Sequence, residues 1–334
     1  MIQRISVWVG LVLVALVLAL ATGWGALAVF YLAPGSEALR TVLAWGYAAL
    51  GLAATAGVMV RGTRRRAAFS FAGLFAVALL IFASERPSND RDWQTEVAVL
   101  PYATFDGDLV TVHDIRNFGY RSETDFTPAY YDKTFDLRKL DRLDLISVYW
   151  MGPAIAHMML SFGFGDDHLA ISIEVRKDKS EQYSSLAGFF RQYELVYIVA
   201  DERDVIRLRT NYRKDPPEDV YVYRATGDVE NARRIFLDYM REINELRERP
   251  KWYNTFTTNC STTILAHARV NPGHVPMSWK VLLSGYAAEY LYEMGRLDQS
   301  LPFEELQRRS HVNPAAQAAD TAPDFSQRIR VGLP

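Results

Sequence analysis

The chain has 334 residues, and its composition divides it into a strongly apolar first part, residues 1–83, and an ordinary globular remainder. The formal net charge is −2, so nothing in the charge balance favours a nucleic-acid partner. The remainder is long enough to bury the hydrophobic core of one sizeable domain. These properties are typical of a membrane protein that carries a folded domain outside the bilayer.

Three apolar spans, at residues 5–32, 39–60 and 67–83, predict helices that cross a membrane. Basic side chains lie at Arg4, before the first span, and within residues 61–66, between the second and third. Because such residues favour the cytoplasmic side, three crossings leave the chain after residue 83 outside the cytoplasm. The sequence therefore predicts a multi-pass protein of a bacterial inner membrane, with a cytoplasmic N-terminus and a periplasmic domain; a eukaryotic lumen is the alternative compartment.

The remainder is predicted to form one domain over residues 84–301, followed by a polar, loosely ordered tail at 302–334. Besides a hairpin described below, strands are predicted at 97–100, 109–113, 143–150, 195–200, 204–210 and 219–223. Helices are predicted at 230–246 and 287–292. This mixture favours an α+β domain.

Two strand-like runs flank Gly165 and Asp166, and a glycine followed by a small polar residue is typical of a two-residue hairpin turn. With this turn at the centre, one face of the hairpin is wholly apolar, and on the other face His157 lies opposite Glu174. A carboxylate at that distance orients an imidazole and stabilises its charged form. A bulge or a shifted turn would oppose His157 to Arg176 instead.

The single cysteine, Cys260, lies between a run of small polar residues and an apolar segment, which is typical of a helix start. A thiol in the first turn of a helix has a lowered pKa, because it feels the positive end of the helix dipole. Cys260, His157 and Glu174 together supply the nucleophile, base and orienting group of cysteine acyl transfer. Asn254 and Asn259 are candidates to support an oxyanion beside the Cys260 N–H. The competing interpretations are a small packed cysteine and a structural His–Glu pair.

The other motifs of the chain point to less chemistry. The sequence contains no HExxH, CxxC or glycine-rich phosphate loop, so neither a metal nor a cofactor is expected. The charged run DERD at 201–204, with Arg207 and Arg209, is interpreted as a solvated, salt-bridged edge. A site for an anionic lipid headgroup is the alternative. His267, two helical turns after Cys260, is predicted to lie at the surface.

Several short blocks, in order, resemble the Lnb N-terminal periplasmic domain family over roughly residues 116–297. They are NFGY (117–120), DF (125–126), AH (156–157), LSF (160–162), SIEVR (172–176), YELVY (193–197), DERD (201–204), LR (208–209), WYNT (252–255) and NC (259–260). Three N-terminal spans are a departure from the family type.

The resemblance implies a permuted papain-like fold of the NlpC type, with an antiparallel sheet and with the histidine strand before the cysteine helix. It also implies lipoprotein N-acylation, with Cys260 as nucleophile and His157 as base, whereas Glu174 rests on the hairpin geometry. The expected enzyme is a membrane-bound thiol acyltransferase that moves an acyl chain from a phospholipid, through a cysteine thioester, to the N-terminal amine of a lipoprotein with a lipidated N-terminal cysteine. The alternatives are a membrane-tethered cysteine hydrolase, either phospholipase or peptidase, and a non-catalytic scaffold.

Overall fold

The computed structural model describes residues 2–334, with side chains from Trp8 onward, so the side chain of Arg4 lies outside the described part. The chain divides into two compact units. We call the first the anchor unit; it comprises Met1–Pro87 and Tyr183–Gln192. We call the second the sheet unit; it comprises Ser88–Gln182 and Tyr193–Pro334.

The anchor unit contains three long apolar helices, as the spans predict. They are α1 (Ile2–Leu32), α2 (Glu37–Met59) and α3 (Arg64–Ser84), and each is long and apolar enough to cross a membrane. Helix α3 begins three residues before the predicted span and takes in Arg64, Arg65 and Arg66. Long arginine side chains at a helix end can reach the polar interface, so they do not force the helix to stop.

Helices α1 and α2 approach closely at two glycines. A Cβ atom added to Gly51 would lie 2.5 Å from Cγ2 of Thr22, and one added to Gly25 would lie 2.3 Å from the Tyr47 hydroxyl. Small residues at such contacts let two apolar helices gain packing contacts that larger side chains would prevent. The two glycines therefore fix how this helix pair packs.

A short segment from later in the chain, residues 183–192, packs within the anchor unit. The ring of Phe190 stacks on Tyr31, with ring centroids 5.3 Å apart. Arg191 donates to the carbonyl oxygen of Phe82 at 2.8 Å, and its guanidinium lies over the Phe82 ring. Since Tyr31 and Phe82 lie near the C-terminal ends of α1 and α3, the segment covers that end of the helix group.

The sheet unit is built on an antiparallel-rich sheet. Its strands, with a separate small pair formed by β3 and β4, are β1 (Tyr102–Asp106), β2 (Leu109–Arg116), β3 (Gly119–Tyr120), β4 (Phe126–Thr127), β5 (Tyr130–Asp136), β6 (Leu140–Tyr149), β7 (Ala156–Phe164), β8 (Asp167–Arg176), β9 (Glu194–Ala200) and β10 (Asp219–Arg224). The main sheet has the order β1-β2-β9-β8-β7-β6-β10, and β5 also pairs with β2. Strands β2 and β9 run parallel, and the other neighbours run antiparallel.

Helices of the sheet unit cover both faces of the sheet. They are α4 (Glu202–Arg207), α5 (Val229–Glu248), α6 (Cys260–Ala268), α7 (Trp279–Leu282), α8 (Ala287–Glu293), α9 (Phe303–Arg309), α10 (Asn313–Ala318) and α11 (Phe325–Arg328). On one face, Phe162 of β7 packs edge-on against Phe236 of α5, with ring centroids 5.2 Å apart. On the other face, Met159 belongs to a buried cluster with Ile206 and Phe325. The α+β fold class is confirmed.

The C-terminal tail, predicted as loosely ordered, instead forms α9, α10 and α11. Val312 and Ala316 lie one helical turn apart, as do Phe325 and Ile329, and all four are buried in the core cluster of one sheet face. The tail is polar in overall composition, which hides this narrow apolar stripe. The prediction of a loosely ordered tail was therefore wrong.

Two of the predicted strands do not form. Of the strand predicted at 97–100, Val97 ends a 3-10 turn (Thr95–Val97), and residues 98–100 lie outside the strands. Glu202–Arg207, which overlaps the strand predicted at 204–210, forms helix α4. The side chain of Asp201 caps α4 by accepting from the Arg203 N–H at 2.9 Å. An aspartate N-cap followed by acidic residues in the first turn stabilises a helix start, and this outweighs the strand preference of Val205 and Ile206.

Candidate functional site

The predicted hairpin forms with the predicted register. Phe164 pairs with Asp167 across the turn, and the ladder continues to Met159 opposite Ser172. Gly165 has φ +67, a conformation that a residue without a Cβ adopts easily. The side chain of Arg176, the alternative partner of His157, is instead bound to the carbonyl oxygens of Val97 and Ala98.

His157 and Glu174 lie just beyond the last pair of this ladder, where β7 continues to pair with β6 and β8 with β9. His157 Nε2 lies 3.1 Å from Glu174 Oε1. The Ser172 hydroxyl bridges the two groups, at 2.7 Å from Nε2 and 2.7 Å from Oε1. Because the hydroxyl donates to the carboxylate, it accepts from the imidazole, which leaves Nδ1 as the ring nitrogen available to another partner.

Glu174 is held by more than the histidine. Arg209 donates to its Oε1 at 3.0 Å and also contacts Glu218 at 3.2 Å. Burial raises the pKa of Glu174, but the positive charges of His157 and Arg209 and the hydrogen bond from Ser172 lower it well below its usual value. Glu174 is therefore favoured as the charged carboxylate, and its negative charge stabilises the charged form of the His157 imidazole.

Cys260 is the first residue of α6 and is partly exposed. Burial raises the pKa of its thiol, but the charge of His157, a hydrogen bond with that imidazole and one with the Met158 backbone lower it by more, so the pKa lies below its usual value. Burial lowers the pKa of His157, but Glu174 and Cys260 raise it to about 9 against the opposing charge of Arg209. Both shifts act in the direction that stabilises a thiolate next to an imidazolium.

The helix start is fixed by Asn259, the N-cap of α6. The Asn259 side-chain oxygen accepts from the Thr262 N–H at 2.9 Å, and the Thr262 hydroxyl accepts from the Asn259 N–H. The Asn259 Nδ2 donates to the Thr255 carbonyl oxygen. Asn254 orders the preceding loop, since its Oδ1 accepts from the N–H groups of Phe256 and Thr257.

Both asparagine side chains thus hold the backbone around Cys260, and their role at an oxyanion stays a prediction. Helix geometry leaves the N–H groups of the first turn without an intrahelical acceptor. The N–H groups of Cys260 and Ser261 belong to that turn. They are the donors that this helix start offers to a developing negative charge.

Sequence reasoning missed Ser172 and Arg209 as members of the site. Ser172 lies on the polar face of the hairpin, two residues before Glu174, and that spacing was a usable signal. Arg209 was assigned to a charged edge because no local pattern connects it with Glu174, which is 35 residues earlier.

His267 does not lie at the surface, contrary to prediction. It is buried, with Nε2 2.7 Å from the Tyr197 hydroxyl and Nδ1 2.7 Å from Asp238. Burial lowers the pKa of His267, although Asp238 acts in the opposite direction. Its contacts tie α6 to β9 and α5, so it supports the helix that carries Cys260.

Two carboxylates of the charged run at 201–204 are also buried, which overturns the interpretation as a solvated edge. Asp204 is fully buried, and its carboxylate accepts hydrogen bonds from Nε and Nη2 of Arg116, at 3.0 and 2.7 Å. Glu202 is fully buried and bound by Arg330. We call these four residues the structural charge cluster. Each carboxylate accepts two hydrogen bonds from the guanidinium of an arginine that lies far away in the sequence, and a local pattern cannot reveal such partners.

Fold and site together define a class: a membrane protein whose α+β domain carries a Cys–His–Glu group at a helix start. Residues 126–285 match the family model described as the Lnb N-terminal periplasmic domain, and this confirms the resemblance found in the sequence blocks. The matched region contains Cys260, His157 and Glu174, and three candidate membrane helices precede it. Comparisons with curated proteins and with solved structures give no match.

Proposed function

We propose that this protein is a membrane-bound thiol acyltransferase that moves an acyl chain from a phospholipid to the N-terminal amine of a lipoprotein. The observation that carries the proposal is the thiol of Cys260 at an open helix start, beside an imidazole held by Ser172 and Glu174. This arrangement suits acyl transfer through a thioester. Lipoprotein N-acylation is the activity that the family resemblance implies.

In the first step the Cys260 thiolate attacks the ester carbonyl of the phospholipid, and a C–S bond forms. The negative charge on the carbonyl oxygen is stabilised by the N–H groups at the start of α6. The tetrahedral intermediate then collapses with cleavage of the ester C–O bond. The His157 imidazolium gives its proton to the departing oxygen, so lysophospholipid leaves and a thioester remains on Cys260.

In the second step a neutral amine attacks the thioester carbonyl. His157, now a neutral imidazole, takes a proton from the attacking nitrogen. Collapse of the second tetrahedral intermediate breaks the C–S bond and forms an amide, and the thiolate–imidazolium pair is restored. The acceptor is the α-amine of a lipoprotein whose N-terminal cysteine is already lipidated.

The three apolar helices support a reaction whose donor and acceptor both reside in a bilayer. A lipid-modified acceptor and a phospholipid donor are concentrated in the membrane, so an anchored enzyme meets both without extracting either into water. We propose the inner membrane as the location, with the sheet unit in the periplasm. No metal or cofactor takes part in these steps.

The decisive experiment is the intact mass of the full-length protein after incubation with a phospholipid of known acyl composition. The expected result is an added mass of one acyl group on Cys260, removable by hydroxylamine and by an amine acceptor. The matched control is Cys260→Ser, which we expect to stay folded, to carry no labile thioester and to lose at least ~10³-fold in transfer rate.

Other outcomes would replace the proposal. Consumption of phospholipid at the same rate without any amine would make the protein a phospholipase. Cleavage of peptide substrates would make it a peptidase and exclude both lipid functions. Full activity of Cys260→Ser would exclude cysteine catalysis altogether, and failure of native Cys260 to react with iodoacetamide would favour a non-catalytic scaffold.

A further inference from the structure

An apolar cavity of about 200 Å³ lies inside the sheet unit. Its walls come from β6, β7, α5, α6 and α8, and they are lined mainly by aliphatic side chains. The representative lining residues are Leu145, Leu160, Ile235, Ile264, Leu265 and Leu291. None of the catalytic steps described above uses this space.

One wall of the cavity is a single stripe of α6. The stripe consists of Ser261, Ile264, Leu265 and Ala268, at the i, i+3, i+4 and i+7 spacing that places residues on one helical face. It begins at the residue next to Cys260 and runs along the helix for about 10 Å, at 1.5 Å per residue. Cys260 itself does not line the cavity; the cavity begins at the next residue of α6 and extends along that helix in the C-terminal direction.

The wall formed by β7 runs in the same direction as the stripe of α6. Met158 and Leu160 of β7 line the cavity. Met158 follows His157 directly in sequence, and its backbone interacts with the Cys260 thiol. One end of the cavity is thus lined by Met158 and Ser261, each one residue along the chain from a reactive group whose own side chain does not line the cavity.

The far end of the cavity has a different character. Asp141, Arg142 and Asp228 line it there, at the start of β6 and just before α5, and Asp141 and Asp228 are exposed. Arg142 is close to Gly163, near the end of β7 that is remote from His157. The space is therefore apolar along its length and charged at the end away from the thiol.

We propose that this cavity binds the acyl chain while it is held as a thioester on Cys260, and that its lining selects chain length. The inference rests on the proposed acyl transfer. A chain attached at Cys260 must run away from the sulfur along an apolar surface if it is to stay out of water. The stripe of α6 supplies that surface, and the charged far end disfavours a chain that reaches into it.

Ala268 is the residue at which this proposal is most easily tested. Its small side chain lies at the far end of the stripe, so a tryptophan there would shorten the space without touching Cys260 or His157. Ala266 is the matched control, because it lies on the same helix and is exposed outside the cavity. Ile264→Ala is a second variant that lengthens or widens the space instead of filling it.

The experiment compares the rates at which full-length protein forms the Cys260 adduct from octanoyl and palmitoyl phosphatidylethanolamine in nanodiscs. Ala268→Trp should lower the palmitoyl rate relative to the octanoyl rate by about tenfold. Ala266→Trp should leave that ratio unchanged, and Ile264→Ala should shift it the other way. Unchanged ratios in both cavity variants would overturn the proposal while leaving acyl transfer intact. If Ala268→Trp fails to fold, the Ile264→Ala ratio decides.

A binding measurement separates this inference from the proposed function. Cys260→Ser protein is irradiated with a palmitoyl phospholipid that carries a diazirine in its acyl chain, and the crosslinked peptides are identified by mass. Crosslinks within residues 261–268 that disappear in a Cys260→Ser, Ala268→Trp double variant support the cavity even if no thioester ever forms. Crosslinks confined to the three apolar helices would overturn it.

Discussion

The structural charge cluster and the candidate site are both built on buried or partly buried carboxylates, but they differ in where their hydrogen bonds end. In the structural charge cluster, the Asp204 oxygens accept from Arg116, from the Phe118 N–H and from the Tyr120 hydroxyl. At the candidate site, the chain of contacts runs from Glu174 to His157 and ends at Cys260, a partly exposed residue. The saturated carboxylate leaves no reactive group at its end, whereas the second chain of contacts ends in a nucleophile.

Replacing the imidazole should produce the largest effect on chemistry. His157→Asn removes both the proton donor and the charge that lowers the thiol pKa, so thioester formation should fall by about 10³-fold. Iodoacetamide should also alkylate Cys260 more slowly near neutral pH, because an ordinary thiol with pKa ~8.5 is then only ~3% thiolate. The control is His113→Asn, which breaks another His–carboxylate pair in the sheet unit. Equal loss in both variants would contradict a specific role for His157.

Breaking the structural charge cluster should act on stability instead. Arg116→Met leaves Asp204 buried without its guanidinium, which should cost about 3–5 kcal/mol of unfolding free energy. Urea unfolding followed by tryptophan fluorescence measures this loss. Arg121→Met, at an exposed ion pair with Asp125, should unfold like the unchanged protein. If Arg116→Met unfolds normally but loses acyl transfer, the distinction between the two clusters fails.

Glu174→Gln tests the electrostatic link between the carboxylate and the imidazole. Burial and Arg209 lower the pKa of His157, but Glu174 and Cys260 raise it to about 9. Without the negative charge of Glu174 the pKa of His157 falls, so the imidazolium is lost at a lower pH. The alkaline limb of thioester formation should therefore move to lower pH, with a rate loss of about 10²-fold on the alkaline side of neutrality. If the alkaline limb of the pH–rate profile does not move, a group other than His157 supplies the proton.

Ser172→Ala should have the smallest effect of the four. The hydroxyl does not touch the reacting atoms; it bridges the imidazole and the carboxylate, and its loss should slow the reaction by about tenfold. As a positioning residue it should lower kcat with little change in KM and move the alkaline limb slightly. Ser172→Thr keeps the hydroxyl and should restore most of the rate. Failure of threonine to restore it would point to a packing role.

The hairpin and its histidine were predictable because two independent local signals agree. The turn at Gly165 sets the register, and the alternation of apolar residues sets which side chains share a face. The bridge through Ser172 was not predictable, because it depends on the β7–β8 ladder ending at Met159 and Ser172 while β7 stays paired with β6 and β8 with β9. That divergence is a property of the whole sheet.

The misjudged elements share a physical reason. Asp204, Glu202 and the tail were interpreted from local polarity, which normally indicates solvent. Their partners lie far away in the chain; Arg330, for example, is 128 residues after Glu202. The polarity of the run at 201–204 therefore reflects buried pairing, and in the tail it hides an apolar stripe; only the tertiary structure supplies the partners of both.

The segment at residues 183–192 has a practical consequence for anyone who wishes to study the sheet unit in water. The chain crosses between the two units three times, after Pro87, after Gln182 and after Gln192. A fragment that starts at Ser88 would still carry Phe190 and Arg191, stripped of Tyr31 and Phe82. Such a fragment should aggregate through this short loop, and replacing the loop by a polar turn is the change most worth making when a soluble version is prepared.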